Sequence, residues 1–147
     1  MFGFDEWGYI TPPELHDLTL EDFERIFVID AERERLFRRL LDLVADVKGL
    51  GATGFYLWID GSFVTKKRVP GDMDVVCFVD NQFFEQNEKR LFAIRNRYEP
   101  DIDAFYVLHF PLEHPDYPQT ARDRLGWFEF LRVDRQTNFK GLIEIQF

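Results

Sequence analysis

Hydrophobic positions first recur at intervals of three and four along this chain, then switch to unbroken or alternating runs. In "TLEDFERIF", Leu20, Phe23 and Phe27 share one helical face. Thr19 and Asp22 have the outline of a capping box, in which Glu or Gln is the usual second partner. A second helix is predicted from Ala31 to Lys48, with Leu36, Phe37, Leu40, Leu41, Val44 and Val47 inward. Asp30 suits its N-cap and Gly49 its stop. Residues 1–18 read as an irregular arm, because Pro12-Pro13 forbids helix and Trp7 and Tyr9 offer apolar anchors.

The period then changes. "GFYLWID" (54–60), "MDVVCFVD" (73–80) and "DIDAFYVLHF" (101–110) read as strands, the second so apolar that both of its faces should be covered. Residues 81–97 read as a helix with Phe84, Leu91, Phe92 and Ile94 inward. A short helix fits 119–126, after a loop with prolines at 111, 115 and 118. "WFEFLRVD", the polar "RQTN" and "FKGLIEIQF" predict a closing β-hairpin. The expected architecture is one α/β domain over 1–147: an arm (1–18), two helices (19–48) and a sheet-containing core (54–147) covered on one side by those helices.

Composition narrows the picture. Hydrophobic residues make up 46% of 147 positions and aromatic residues 17%, ample for a core and incompatible with a disordered chain. A single cysteine, Cys77, excludes an internal disulfide framework and lies in an apolar run, where it reads as inert core. "FGFDEWGY" lacks the pattern of a secretory leader, and no apolar run approaches the roughly 20 residues that span a bilayer. The expected compartment is the cytoplasm, with no membrane partner. The net charge of −9 repels phosphate backbones and argues against general nucleic-acid binding. "KKR" at Lys66, Lys67 and Arg68 is a local exception.

The chemistry concentrates in "GSFVTKKRVPGDMDV". Side chains two apart on a strand share a face, so Asp72 and Asp74 are neighbours there. Two adjacent carboxylates repel unless positive charge lies between them, and a divalent cation is the simplest remedy. Mg²⁺ takes one or two carboxylates and completes its shell with water and phosphate oxygens. Asp101 and Asp103 repeat the spacing on the next strand, and acids from both strands on one face could hold the two metals of a phosphoryl-type transfer. Separated from Asp72 by a nine-residue spacer, Gly61 permits close backbone approach and Ser62 offers a hydroxyl and an N–H to a phosphate. Ser62 to Thr65 suits a short helix opening toward the same anion. Lys66 and Lys67 add positive charge. Taken singly, each feature is commonplace: a solvated strand end, a turn, a charged loop. Their combination is more specific.

This combination resembles the nucleotidyltransferase superfamily, which shares the palm-like domain of DNA polymerase beta. The motif there is Gly-Gly or Gly-Ser, a spacer of about this length, then acid-hydrophobic-acid-hydrophobic, with a third acid on a later strand. Met73 and Val75 fill its hydrophobic positions. The resemblance implies that Gly61 and Ser62 hold the triphosphate of an NTP, with ATP the first choice, aided by Lys66 and Lys67. It implies Asp72, Asp74 and Asp103 (Asp101 as alternate) as catalytic residues and ligands of Mg²⁺ or Mn²⁺. "GYITPPELH", "WIDGSFVT", "DIDAFYV" and "DRQTNFKGLIEI" also resemble small stand-alone bacterial proteins with this domain. The implied activity is metal-dependent transfer of a nucleoside monophosphate to an acceptor hydroxyl on a protein, nucleic acid or small molecule. Many superfamily enzymes carry a further helical domain, whereas small members often act with a separate helical partner, in some cases as antitoxins that adenylylate a toxin. The alternative is therefore an antitoxin-like binding module that neutralises a partner protein by contact. His16, His109 and His114 lack metal-ligand spacing and read as loop or rim residues.

Overall fold

The computed structural model describes residues 2–67 and 70–147. Seven strands and four α-helices are found among them, in the order β1 (Gly3–Phe4), β2 (Ile10–Thr11), β3 (Leu15–Asp17), α1 (Leu20–Phe27), α2 (Ala31–Gly49), β4 (Tyr56–Asp60), β5 (Met73–Asp80), α3 (Asn81–Tyr98), β6 (Ile102–His109), α4 (Tyr117–Leu131) and β7 (Leu142–Gln146). A single 3₁₀ turn, Ser62–Val64, follows β4. The main sheet is mixed, in the order β3-β7-β4-β5-β6, while β1 and β2 form a separate antiparallel pair. Strand β4 lies antiparallel to both β5 and β7; β5 and β6 are parallel and joined through α3.

Helices α1, α2 and α3 start where side chains satisfy free backbone N–H groups. Thr19 Oγ1 accepts from the Asp22 N–H at 3.0 Å, and Asp30 Oδ1 from the Arg33 N–H at 2.8 Å. Asp80, the last residue of β5, accepts from the Gln82 and Phe83 N–H groups, so the chain passes from strand to helix without a loop. One face of the sheet carries Leu57, Ile59, Val75, Cys77, Ile102, Ala104, Ile143 and Ile145 into the main core, against α1, α2 and α3. Burial there pushes the Cys77 thiol far up and leaves it inert. The opposite face carries Trp58, Val76, Phe78 and Leu142 into a smaller cluster under α4. The two-sided covering of β5 expected from its sequence is thus observed.

Three expectations are corrected. The C-terminal hairpin does not form: "WFEFL" is the end of α4, and only β7 of the proposed pair is a strand. Tyr117, Thr120, Arg124, Trp127, Phe128 and Leu131 turn toward the protein at helical spacing, and Pro118 sits in the first turn, where it is tolerated. All that remains of the hairpin is an isolated bridge between Val133 and Phe139. The arm is not wholly irregular, since β3 joins the sheet edge beside β7. Phe92, expected inside, is 52% exposed, whereas Leu91 and Ile94 lie in the core as expected.

Arg33 is the least expected core residue, being 1% exposed. Its guanidinium donates to the carbonyls of Phe27 (3.3 Å), Phe63, Thr65 (2.9 Å) and Lys67 (2.8 Å). One side chain on α2 thereby fixes the segment that follows β4. Asp30 lies 3.7 Å from its Nε and is the counter-charge. Replacing Arg33 by Met should strand several buried carbonyls and cost about 3 kcal/mol or more, read from urea denaturation. Arg33→Lys should recover little of it, because an ammonium cannot match the planar fork.

Candidate functional site

Strand register decides where the acids meet. Asp60 on β4 lies opposite Asp74 on β5, and Asp74 opposite Asp103 on β6. Adjacent strands are about 4.8 Å apart, so three carboxylates form one row across the sheet. By alternation they share the face of Trp58, Val76 and Phe105. Asp72 stands one residue ahead of β5, exposed, and close enough to act on Asp74.

Each end of the row has a cation. Lys140 Nζ lies 2.9 Å from Asp60 Oδ2, in a pair that is 15% and 4% exposed. Arg95 reaches round the edge strand from α3 to Asp103 Oδ1 at 3.0 Å, stacking over Phe105 on the way. Asp74, in the centre, is raised from the ordinary aspartate value of 3.8 to about 6, first by burial, then by Asp72, Asp60 and Asp103. Its folded form thus holds a proton that the unfolded chain releases. This carboxyl opposes folding increasingly as pH rises from 3.8 to about 6, and fully above that. Asp60 is also raised, by burial, against the opposing effect of Lys140. Its Oδ1 is buried with no hydrogen-bond partner among the described residues.

The Gly-Ser turn closes over this row. Gly61 has φ of +87°, and a Cβ there would lie 3.0 Å from Asp74 Oδ2 and 3.2 Å from its backbone nitrogen. Only glycine fits on both counts. Two clefts flank the turn. One, about 600 Å³, is lined by Asp60, Asp74, Asp134, Arg135 and Lys140. The other, about 420 Å³, is lined by Trp7, Ser62, Thr65, Lys67 and Lys140. Lys140 stands between the two.

The predicted residues are therefore partly gathered. Gly61 rests on Asp74, which Asp72 and Asp103 neighbour, while Ser62 and Lys67 border the second cleft. Lys66 does not: its ammonium stacks 4.6 Å over Phe4, and its N–H donates to the Gly8 carbonyl at 2.8 Å. Arg68 lies outside the described residues. Asp101 is tied to α2, 3.0 Å from Arg35 and 3.4 Å from Arg39, so Asp103 is the acid beside Asp74. His109 is the register partner of Asp80, six residues along β6 from Asp103, or about 20 Å, and His114 follows it.

Sequence reasoning missed Asp60 and Lys140. Asp60 directly precedes Gly61-Ser62 and was legible as a third acid of the same alternating face. Nothing local marks Lys140, which lies 80 residues away and is placed by the strand that follows it. The carboxylate oxygens are the hard donors a divalent cation takes, and among the described residues Asp74 forms no ion pair, with Lys140 offsetting only part of its repulsion. Among the described residues no three acidic, His or Cys side chains are already drawn into a ligand set. The donors fit a cation by chemistry, and their closing around one would require side-chain adjustment.

Residues 2–146 match the model of DUF6932, a family of unknown function. The chain belongs to that family. Neither the curated proteins nor the solved structures contain a match to it. Membership in DUF6932 assigns no chemistry, and the geometry of the acidic row has to carry the functional reading. Among the described residues, no helix is long and apolar enough to cross a membrane.

The Asp60–Lys140 pair can be tested by stability alone. Lys140→Met leaves a buried carboxylate unpaired and should cost about 3–5 kcal/mol in chemical denaturation at pH 7. The loss should shrink at acid pH as Asp60 takes up a proton. Adding Asp60→Asn should restore most of it.

Proposed function

We propose that this protein transfers a nucleoside monophosphate from an NTP, with ATP the first choice, to an acceptor hydroxyl. The observation that carries the reading is the contact of Gly61 with Asp74: the turn suited to phosphate rests directly on the acid suited to a metal. The motif's resemblance to the nucleotidyltransferase superfamily adds to it.

In this reading Asp72 and Asp74 hold Mg²⁺ or Mn²⁺, and Asp103 completes the set on release from Arg95. The cation supplies positive charge to phosphate oxygens and lowers the cost of negative charge on the leaving pyrophosphate. The chain's own groups do the rest. Gly61 lets the backbone approach the phosphates, Ser62 donates to them, and Lys67 neutralises charge at the cleft. Arg33 fixes the carbonyls of Phe63, Thr65 and Lys67 just after Ser62, so this segment needs little reorganisation when the nucleotide arrives. The acceptor oxygen bonds to the α-phosphorus as the bond to the bridging oxygen breaks. Its proton passes to a carboxylate of the row, with Asp103 placed as the base.

A second reading draws on the exposed side of α4, where Leu125 is 61% and Phe130 72% exposed. A binding module that neutralises a partner protein, antitoxin-like, could present such a surface. Phe130 also borders the acidic cleft, so a helical partner there could serve catalysis as acceptor.

Incubation with α-labelled NTPs, Mg²⁺ and candidate acceptors discriminates these readings. Asp74→Asn should reduce label transfer by more than the roughly 10–100-fold that outer-shell changes cost at metal sites. Its melting temperature should hold or rise, since like-charge repulsion is relieved. Transfer at the wild-type rate by Asp74→Asn would sink the catalytic reading. Partner silencing that survives the same substitution would favour the binding module.

A further inference from the structure

The arm that precedes α1 is held in place with more care than a connecting segment needs. Asp5 Oδ1 accepts from both the Trp7 and Tyr9 N–H groups at 2.9 Å, and the Asp5 carbonyl accepts from Gly8 at 3.0 Å. Gly8 has φ of +80°, and a Cβ there would lie 2.9 Å from Lys66 Cβ, so the turn packs against the Gly-Ser segment where only glycine fits. The Lys66 N–H closes the contact by donating to the Gly8 carbonyl. On the other side, the Tyr9 hydroxyl donates to Asp134 Oδ2 at 2.8 Å, and Asp134 lines the acidic cleft. That bond helps hold the Asp134 carboxyl down at about 2 and pushes the Tyr9 hydroxyl up to about 12, so the link persists across the neutral range.

All this bracing holds out one side chain that is not buried. Trp7 is 58% exposed and lines the 420 Å³ cleft together with Ser62, Lys67 and Lys140. An indole face at one wall of a pocket with cations at another is the arrangement a nucleotide needs. The ring stacks the base without reading its identity, and the cations meet the phosphates.

We propose that Trp7 is the base-stacking platform of this cleft, so that the N-terminal arm makes the site select nucleoside polyphosphates over bare polyphosphates. The inference rests on the nucleotide-cleft reading above and adds the substrate class. The platform is tolerant of base identity, because every base offers a π-face. Trp7 is a binding residue only, remote in role from the acids of the sheet. Its indole fills no core space, so its removal leaves the fold intact.

The test is equilibrium binding, by calorimetry with Mg²⁺ present, of ATP and of inorganic tripolyphosphate to wild type, Trp7→Ala, Trp7→Phe and Lys67→Ala. Circular dichroism melts of each variant confirm folding. Trp7→Ala should weaken ATP by about tenfold or more while leaving tripolyphosphate unchanged, and Trp7→Phe should retain most of the ATP affinity. Lys67→Ala should weaken both ligands alike. If Trp7→Ala weakens neither ligand, or both equally, the platform is overturned while the nucleotide reading stands. If wild type binds tripolyphosphate but not ATP, or binds neither, the platform and the nucleotide reading fall together.

Discussion

The register of β4, β5 and β6 is the constraint on which the site depends. It sets Asp60, Asp74 and Asp103 abreast on neighbouring strands, an arrangement a sheet ordinarily avoids because like charges directly opposite destabilise it. A slip of one residue would turn every acid into the apolar core and every core residue out, so the hydrophobic alternation that builds the fold also enforces the crowding. The flanks are relieved by Lys140 and Arg95. At the centre Asp74 is in no ion pair among the described residues, Lys140 offsets only part of the repulsion, and a proton or a cation from solution relieves the rest. A fold does not keep such a row for stability, and its cost is the physical argument for a function.

The acids alone would be a strained patch. Arg33 couples them to the rest, because the segment from Phe63 to Lys67 has no regular structure beyond one 3₁₀ turn and hangs on its guanidinium. Burying that charge is unfavourable and draws its pKa down. The return is positional: the backbone beside Ser62 is fixed from behind by α2 and from in front by the arm, through Gly8 and Lys66. Long-range contacts thus give a loop the precision of a strand, which is what phosphate recognition by backbone groups requires.

Much of this was legible in sequence. Caps at Thr19 and Asp30, the strand limits 73–80 and the helix from 81 followed from periodicity and end signals. The meeting of Gly61 with Asp74 follows from the antiparallel pairing of the strands on either side, which sets Asp60 opposite Asp74. Other features were hidden for physical reasons. The aromatic residues of "WFEFL" have high strand propensity, yet in α4 tertiary packing of its inward side outweighs that preference. Asp101 and Asp103 are equivalent by alternation, and only the placement of Arg35 and Arg39 on α2 separates them. Lys140 and Arg33 work across distances in sequence that no local pattern encodes.

The central claim is that the carboxylate row is a cation site lying against a phosphate-binding turn. Crystals grown with Mn²⁺ and a non-hydrolysable ATP analogue test it most directly, through anomalous scattering from the metal. The account predicts a peak within coordination distance of Asp72 and Asp74, with the analogue's phosphates against Gly61 and Ser62. A bound analogue elsewhere on the surface, or a row of acids that stays metal-free at millimolar Mn²⁺, would contradict it.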